Sequence, residues 1–571
     1  MLVMLVLMLG ACSTQMPQPN QGDLAIAPQP AAVKPQPIAS DTLFQLLAAE
    51  MAGQRQHYKL ALDIYLEQAA KTQQPQIAER ATRIAQFLGS PTHILLGLSI
   101  WLKLEPNNVD ALQLQAATLM ELGRYQEAIT SIEQIQIVSG ISQYEFLASA
   151  ATGAPQGIQQ GLNQQLQQIR QQQPQNASLW LATGIMQQHL GNYAVALSDV
   201  EKAIRLAPKL QLANMQKARV LLLQDKPKEA LAWLNKLHKK NPEHKGIAVL
   251  RARVLLDLNH ANKALIAFQE LQQSFPDDAA ILLSLALLYD DLGYKDEAEN
   301  SFHQLLDLGQ YDNEAHFYLG RLGEERGDNV EALEHYTQVG LSREFLPAQV
   351  RTATLLAEDD LAVMQDYMAQ QRRLYPKYKI ELLRIETEIL SDKGQTQEAI
   401  RLLDAALLGT PNHAGLLYSR AMLAERIGNL ALLEQDLRQV LKLQPNNAEA
   451  LNALGYTLVD QTDRWNEALP LIQRAYELAP NNPAIIDSLG WAYFRMGDMQ
   501  RAKPLLEEAF QLVNDHEIAA HYGELLWITG EKQQAMQVWK KGTENNPNSE
   551  IISKTLQRLN VDAEQLHATT P

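Results

Sequence analysis

The sequence predicts an all-α fold, a solenoid of stacked helix hairpins, and three observations carry that expectation. Ala196, Ala230, Ala264, Ala298 and Ala332 each follow the one before by 34 residues, and a fixed period between 20 and 50 residues marks a repeat array. With each unit starting nineteen residues before its alanine, at Ala177, Gln211, Lys245, Ala279 and Asn313, the eighth residue is Gly184, Ala218, Ala252, Ala286 and Gly320, and every one is small. Pro208, Pro242 and Pro276 all fall at the thirty-second place. Small residues facing each other let two antiparallel helices approach closely, while Leu, Ile, Phe and Tyr fill the space on either side. Proline then stops the second helix because it lacks the amide hydrogen.

The turn inside each unit has its own signal. Gly191, Asn259, Gly293 and Gly327 stand between the two helices, where a residue able to adopt positive φ ends the first one. The chain has 571 residues and a formal charge of −16. That length exceeds one hydrophobic core, but an array adds neighbour interfaces instead. The acidic balance offers no basic stripe to displace counterions, which argues against nucleic-acid binding.

Residues 1–12, MLVMLVLMLGAC, are an apolar run too short to span a bilayer and resemble the hydrophobic part of an export signal. Leu9-Gly10-Ala11-Cys12 resembles the lipobox of bacterial lipoproteins, in which the cysteine is lipidated and becomes the mature N-terminus. Cys12 is the chain's only cysteine, so it has no disulfide partner within the chain. No Lys or Arg precedes the run, so the true start is expected upstream of Met1. Ser13 follows the cysteine where aspartate would favour the inner membrane, and the resemblance therefore implies the outer membrane. Residues 13–40, rich in Pro, Gln and Ala, read as a tether reaching on the order of 80 Å at about 3.1 Å per residue.

Repeats begin near Thr42 and fill residues 41–343. Thr42 to Gln74 carries Ala49 and Ala61 at the small places, the next unit Thr82, Gly89 and Pro106, and the one from Val109 Ala116, Gly123 and Ala128. A Gln-rich stretch between Ser142 and Asn176 keeps step, with Ala150 and Pro174 at the eighth and thirty-second places, and reads as a degenerate repeat. Residues 344–379 are a degenerate repeat or kink, because Ala332 to Ala399 is 67 residues, one short of two periods. Register resumes over 380–548, with Leu433 in place of the usual alanine and one extra residue in the turn between the helices of the unit from Leu451. Residues 549–571 read as a capping helix and tail. About fifteen helix pairs are expected in all.

Period, small residues and terminal proline together resemble the tetratricopeptide repeat family, which implies a right-handed superhelix. The stretches at residues 46–89 and 450–502 resemble the long tetratricopeptide outer-membrane lipoproteins of pseudomonads and their relatives. One branch of those is the lipoprotein adaptor of the periplasmic carboxy-terminal processing protease. This resemblance implies a non-catalytic scaffold, anchored in the outer membrane and facing the periplasm. It would bind a serine protease and present cell-wall hydrolases to it, regulating peptidoglycan hydrolysis. An assembly factor for an envelope machine, a pilus secretin or a polysaccharide exporter, is the alternative reading. Self-association through terminal helices is left open.

No catalytic or cofactor motif survives inspection. The histidines of HEIAAH, His516 and His521, are five apart, about 140° around a helix, whereas the zinc-protease motif uses i and i+4 on one face. No two glycines are separated by one residue and none precedes a lysine, which excludes the dinucleotide fingerprint and the Walker loop. In the tetratricopeptide family the second, fifth, ninth and twelfth residues of each first helix line the concave groove. Those places hold Leu181, Ile185, Met215, Arg219, Val249 and Arg253 early in the array. Later they hold Tyr418, Met422, Asn452, Tyr456, Asp487, Trp491, Phe494 and Trp527, with Arg495 adjacent. Clustered aromatics with polar partners suit a protein-binding groove; the other reading is that the rings pack between repeats. Trp491 is expected to be the most exposed.

Overall fold

In the computed structural model, which describes residues 39–562, each 34-residue unit folds as two antiparallel helices. The unit from Ala177 pairs Ala177–His189 with Tyr193–Leu206, and the next pairs Gln211–Leu223 with Pro227–Lys240. The description comprises 31 α-helices, which make fifteen pairs and one last helix, Glu550–Arg558. The chain divides into two compact units at the Asn259 to His260 bond, the turn of the seventh pair.

The small residues sit where the helices of a pair cross. Ala196, Ala230, Ala264, Ala298 and Ala332 are all fully buried, as are Ala218, Ala252 and Ala286. A Cβ on Gly184 would stand 2.7 Å from Val200 Cγ2, and one on Gly320 2.7 Å from the ring of Tyr336. These glycines are therefore required by contact distance. Gly191, Gly293 and Gly327 take φ of 80°, 82° and 79°, and Asn259 takes 56°, the left-handed conformation expected at the end of a first helix. The prolines at 208, 242 and 276 follow helices ending at Leu206, Lys240 and Ser274.

In the first unit the Gln-rich repeat has a shortened first helix, Tyr144–Ala150, extended by the 3₁₀ turn Ala151–Gly153 before Gln156–Gln172. Ala150 does not fill the small place, because the helix ends there and the residue is exposed. Ala148 and Ala151, both fully buried, make the contacts instead.

In the second unit residues 344–379 form a full hairpin, Phe345–Asp359 and Leu361–Leu374. Asp360 alone joins its helices, ends the first, and caps the second by accepting the Ala362 N–H at 2.7 Å. This hairpin keeps the period, since Phe345 to Lys379 is 34 residues; the shortening lies before it, where Asn329–Gln338 has 10 residues and the earlier second helices Ala261–Ser274 and Lys295–Leu308 have 14. The extra residue of the unit from Leu451 goes into the first helix, Ala448–Gln461, which has 14 residues where its neighbours Ala414–Arg426 and Pro483–Arg495 have 13. The connection that follows contains no positive-φ residue, so the expectation of a longer turn is corrected to a longer helix. The last helix buries Ile552, Thr555 and Leu556 and packs on His516–Ile528, so it caps the stack.

Candidate functional site on the inner helices of the second unit

Four successive first helices of the second unit, Ala414–Arg426, Ala448–Gln461, Pro483–Arg495 and His516–Ile528, carry the predicted groove residues. Ala448–Gln461 packs directly on Pro483–Arg495, and Pro483–Arg495 on His516–Ile528. All ten residues from Ile485 to Phe494 are buried, as are all nine from Ile518 to Leu526. A helix buried on every side has its inner face covered as well, and here neighbouring first helices cover one another.

Trp491 is accordingly 2% exposed, which corrects the expectation that it would be the most exposed of the set. Its indole stacks on His521 with centroids 4.0 Å apart at 16°, and on Phe494 at 5.0 Å and 20°. Its Nε1 donates to Asp460 Oδ1 at 3.3 Å. Phe494 and Asp487 are buried too. In the first unit Leu181 is fully buried and Ile185 nearly so, while Arg219 and Arg253 are exposed. Leu181 and Ile185 are thus core, while Met215 and Val249 are half-buried.

A polar network runs through the same place. His521 Nδ1 and Asp487 Oδ2 are 2.8 Å apart, both side chains buried. Burial works against a charge on His521, but the Asp487 carboxylate outweighs it and holds the imidazole's pKa above its ordinary value. Tyr456 donates its hydroxyl to Glu517 Oε1 at 2.5 Å and lies 3.4 Å from His521 Nε2. Burial and then the charges of Glu517 and Asp460 push the Tyr456 pKa far upward. The phenol therefore stays protonated and acts as a donor. Arg495 reaches Asp460, donating to its carbonyl at 3.4 Å with 3.7 Å to Oδ1, and its guanidinium lies 5.8 Å from the Trp491 ring. Around this plug Tyr418, Met422, Asn452, Tyr456, Arg495 and Trp527 are half-buried, and these are the predicted groove residues of the second unit that reach a surface.

Sequence reasoning missed Glu425, Asp460, Glu517 and His521. The period could have found one of them, since His521 follows Asp487 by 34 residues, placing them in adjacent rows. The two histidines of HEIAAH face different ways: His516 Nδ1 pairs with Ser549 Oγ at 3.0 Å, and His521 with Asp487. Cys12 lies outside the described residues.

Fold and wall together define a helical-repeat protein whose inner helices are partly filled by its own aromatic and charged residues. The description "Tetratricopeptide repeat" matches residues 283–340, 434–483 and 484–513, and "Anaphase-promoting complex, cyclosome, subunit 3" matches 189–271. The chain is 41% identical over 530 residues to the TPR repeat-containing protein PA4667 of Pseudomonas aeruginosa, a likeness that covers 92% of this chain and 90% of that one. The chain belongs to the tetratricopeptide repeat family. It is also 31% identical over 106 residues to bacteriophage adsorption protein A of Escherichia coli, 19% of this chain and 10% of that protein. Among solved structures it resembles the APC/C hetero-tetramer Cut9–Hcn1, at 14% identity over 91% of this chain and 96% of that one, with a TM-score of 0.33.

Proposed function

We propose that this protein is a non-catalytic scaffold, held in the outer membrane through lipid on Cys12 and facing the periplasm. There it binds a carboxy-terminal processing protease and presents cell-wall hydrolases to it. Tetratricopeptide repeat proteins generally act as non-catalytic scaffolds for protein partners. The observation that carries the reading furthest is fifteen stacked hairpins sharing 41% identity with another repeat protein of the same extent. A scaffold that grips enzyme and substrate together raises their effective concentration without a catalytic group of its own. On this reading partners meet the half-buried residues Tyr418, Asn452, Tyr456, Arg495 and Trp527, while Trp491, Phe494 and Asp487 hold the wall behind them.

Affinity capture from envelope extracts followed by mass spectrometry tests it. A serine protease recovered together with cell-wall hydrolases is the expected result; recovery of secretin or polysaccharide-export subunits instead would replace it with an assembly role. Metabolic labelling with a fatty acid tests the anchor. Label should enter the wild-type chain and be lost in Cys12→Ser, and label retained in that variant would refute lipidation at Cys12.

A further inference from the structure

We infer that the inner wall of the second unit receives a basic segment of a protein partner, an extended stretch bearing lysine or arginine. This rests on the scaffold reading above and adds the chemistry of what is gripped.

The argument is a charge inventory of the wall. Asp460 is matched by Arg495 at 3.7 Å and Asp487 by His521 at 2.8 Å. Glu425, Glu449 and Glu517 have no ion pair among the described residues; Glu517 accepts only the Tyr456 hydroxyl and backbone contacts are those of its helix. The carboxylates are close enough to act on one another. Loss of hydration raises the Glu425 pKa first, and the like charges of Glu517 and Asp460 add to it; burial likewise raises Tyr418, with Glu449 and Glu425 adding after it. Arg384, the remaining cation near Tyr418, donates to Ser419 Oγ at 3.1 Å. With Lys532 beside the Trp527 ring at 4.8 Å, the wall holds four cationic groups, Arg384, Arg495, His521 and Lys532, against the five carboxylates Glu425, Glu449, Asp460, Asp487 and Glu517.

A second observation is independent of that count. Asp487, 4% exposed, binds His521 through Oδ2, yet its Oδ1 is buried with no hydrogen-bond donor. Asn452 Oδ1 is buried without a donor in the same way. Asp487 and Asn452 hold corresponding places on neighbouring first helices, and the Asp487 charge acts on the Tyr456 phenol, which puts it at the same wall as Glu517. A buried acceptor without a donor is costly, and a row of acceptors edged by unmatched carboxylates favours a ligand that brings donors and positive charge. Lysine and arginine side chains supply both. Half-buried Tyr418 flanks the row and gives the aliphatic stem of such a side chain a surface to lie on, while Trp527 at the other end already carries the chain's own Lys532, 4.8 Å from its ring.

The test is fluorescence anisotropy with the full-length chain in detergent and three labelled nonapeptides of matched length, carrying lysine, serine or glutamate at alternate places. The lysine peptide should bind, weaken at least tenfold when sodium chloride rises from about 50 to 300 mM, and lose at least tenfold in affinity to Glu425→Gln/Glu517→Gln. Asn452→Asp, which adds a carboxylate, should tighten it. Circular dichroism identical to wild type makes the loss interpretable. Equal binding of the glutamate peptide, or unchanged affinity in the double glutamine variant, would overturn the inference. If the peptides fail while a protease is captured from extracts, the scaffold reading stands and this one falls. If the lysine peptide binds as described while capture yields export subunits, the inference stands and the protease reading falls.

Discussion

Replacing Gly523 with alanine should loosen the last full hairpin even though alanine is the better helix former. Gly523 lies in His516–Ile528, and a Cβ there would meet the indole of Trp539, with Cε2 at 2.5 Å and Cδ1 at 2.6 Å. Trp539 is fully buried, so the ring has no free volume to retreat into. Overpacking a filled core costs about 1–3 kcal/mol, and a rigid ring at these separations belongs at the upper end. Removing a helical glycine returns about 1 kcal/mol, which leaves a net loss of about 2 kcal/mol. Gly161→Ala is the matched control. It lies inside Gln156–Gln172 with nothing within 4 Å of its Cβ position, and it should gain about 0.5–1 kcal/mol. Because arrays unfold in pieces, segment-resolved hydrogen exchange is the suitable assay. Amides of His516–Ile528 and Lys532–Asn545 should exchange faster in Gly523→Ala, and those of Gln156–Gln172 more slowly in Gly161→Ala. Unchanged or slower exchange around Gly523 would refute the close-contact argument.

Trp491→Ala should cost about 3–5 kcal/mol in denaturant unfolding, as for other buried tryptophans, so a loss of partner binding in it reports on the wall's integrity and not on contact. Arg420 donates two 2.7 Å hydrogen bonds to Asp436, which is 1% exposed. Arg420→Met should therefore lose about 3–5 kcal/mol by stranding that charge, and Arg420→Met/Asp436→Leu should recover most of it. His316 and His335, whose Nδ1 atoms are 3.0 Å apart beside His303, have pKa values lowered by burial and then by the neighbouring imidazoles. The folded state thus holds fewer protons there than the unfolded chain does, and stability present above about pH 6.5 is lost as pH falls. His521 has the opposite sign: its folded pKa is raised, so its contribution is full below about pH 6.5 and fades as pH rises through the folded value. Protection factors in Asp312–Arg326, corrected for the intrinsic pH dependence of amide exchange, should accordingly fall between pH 7 and 5, while those of Pro483–Arg495 and His516–Ile528 hold.

The repeat was legible because its constraints are local. A small residue where two helices touch, a positive-φ residue at the turn and a proline after the second helix each state a backbone requirement that the sequence displays every 34 residues. Ala150 and the unit from Leu451 were misplaced by a residue or a turn because helices shorten or lengthen by one step without leaving any such mark. The inner wall was half legible. Its aromatics stand at the expected places, but whether an inward ring meets solvent or the next helix depends on how closely neighbouring first helices approach, and no single position encodes that. Trp491 went wrong for this reason, since His521, on the following first helix, supplies the ring that covers it. His521 itself was dismissed with a false metal motif, although its distance from Asp487 is one period.

Asp360 has a consequence for how such a chain changes over generations. Whole 34-residue modules can be duplicated or lost by recombination wherever the connecting turns are alike, since each junction accepts the next unit in phase. The hairpin of Phe345–Asp359 and Leu361–Leu374 keeps the 34-residue step to Lys379, but its helices share a single joint residue where Ala414–Arg426 and Leu430–Leu443 have three between them. An exchange between this joint and a three-residue one would leave two residues too many or too few, so modules are best exchanged at the hairpin's ends and not inside it.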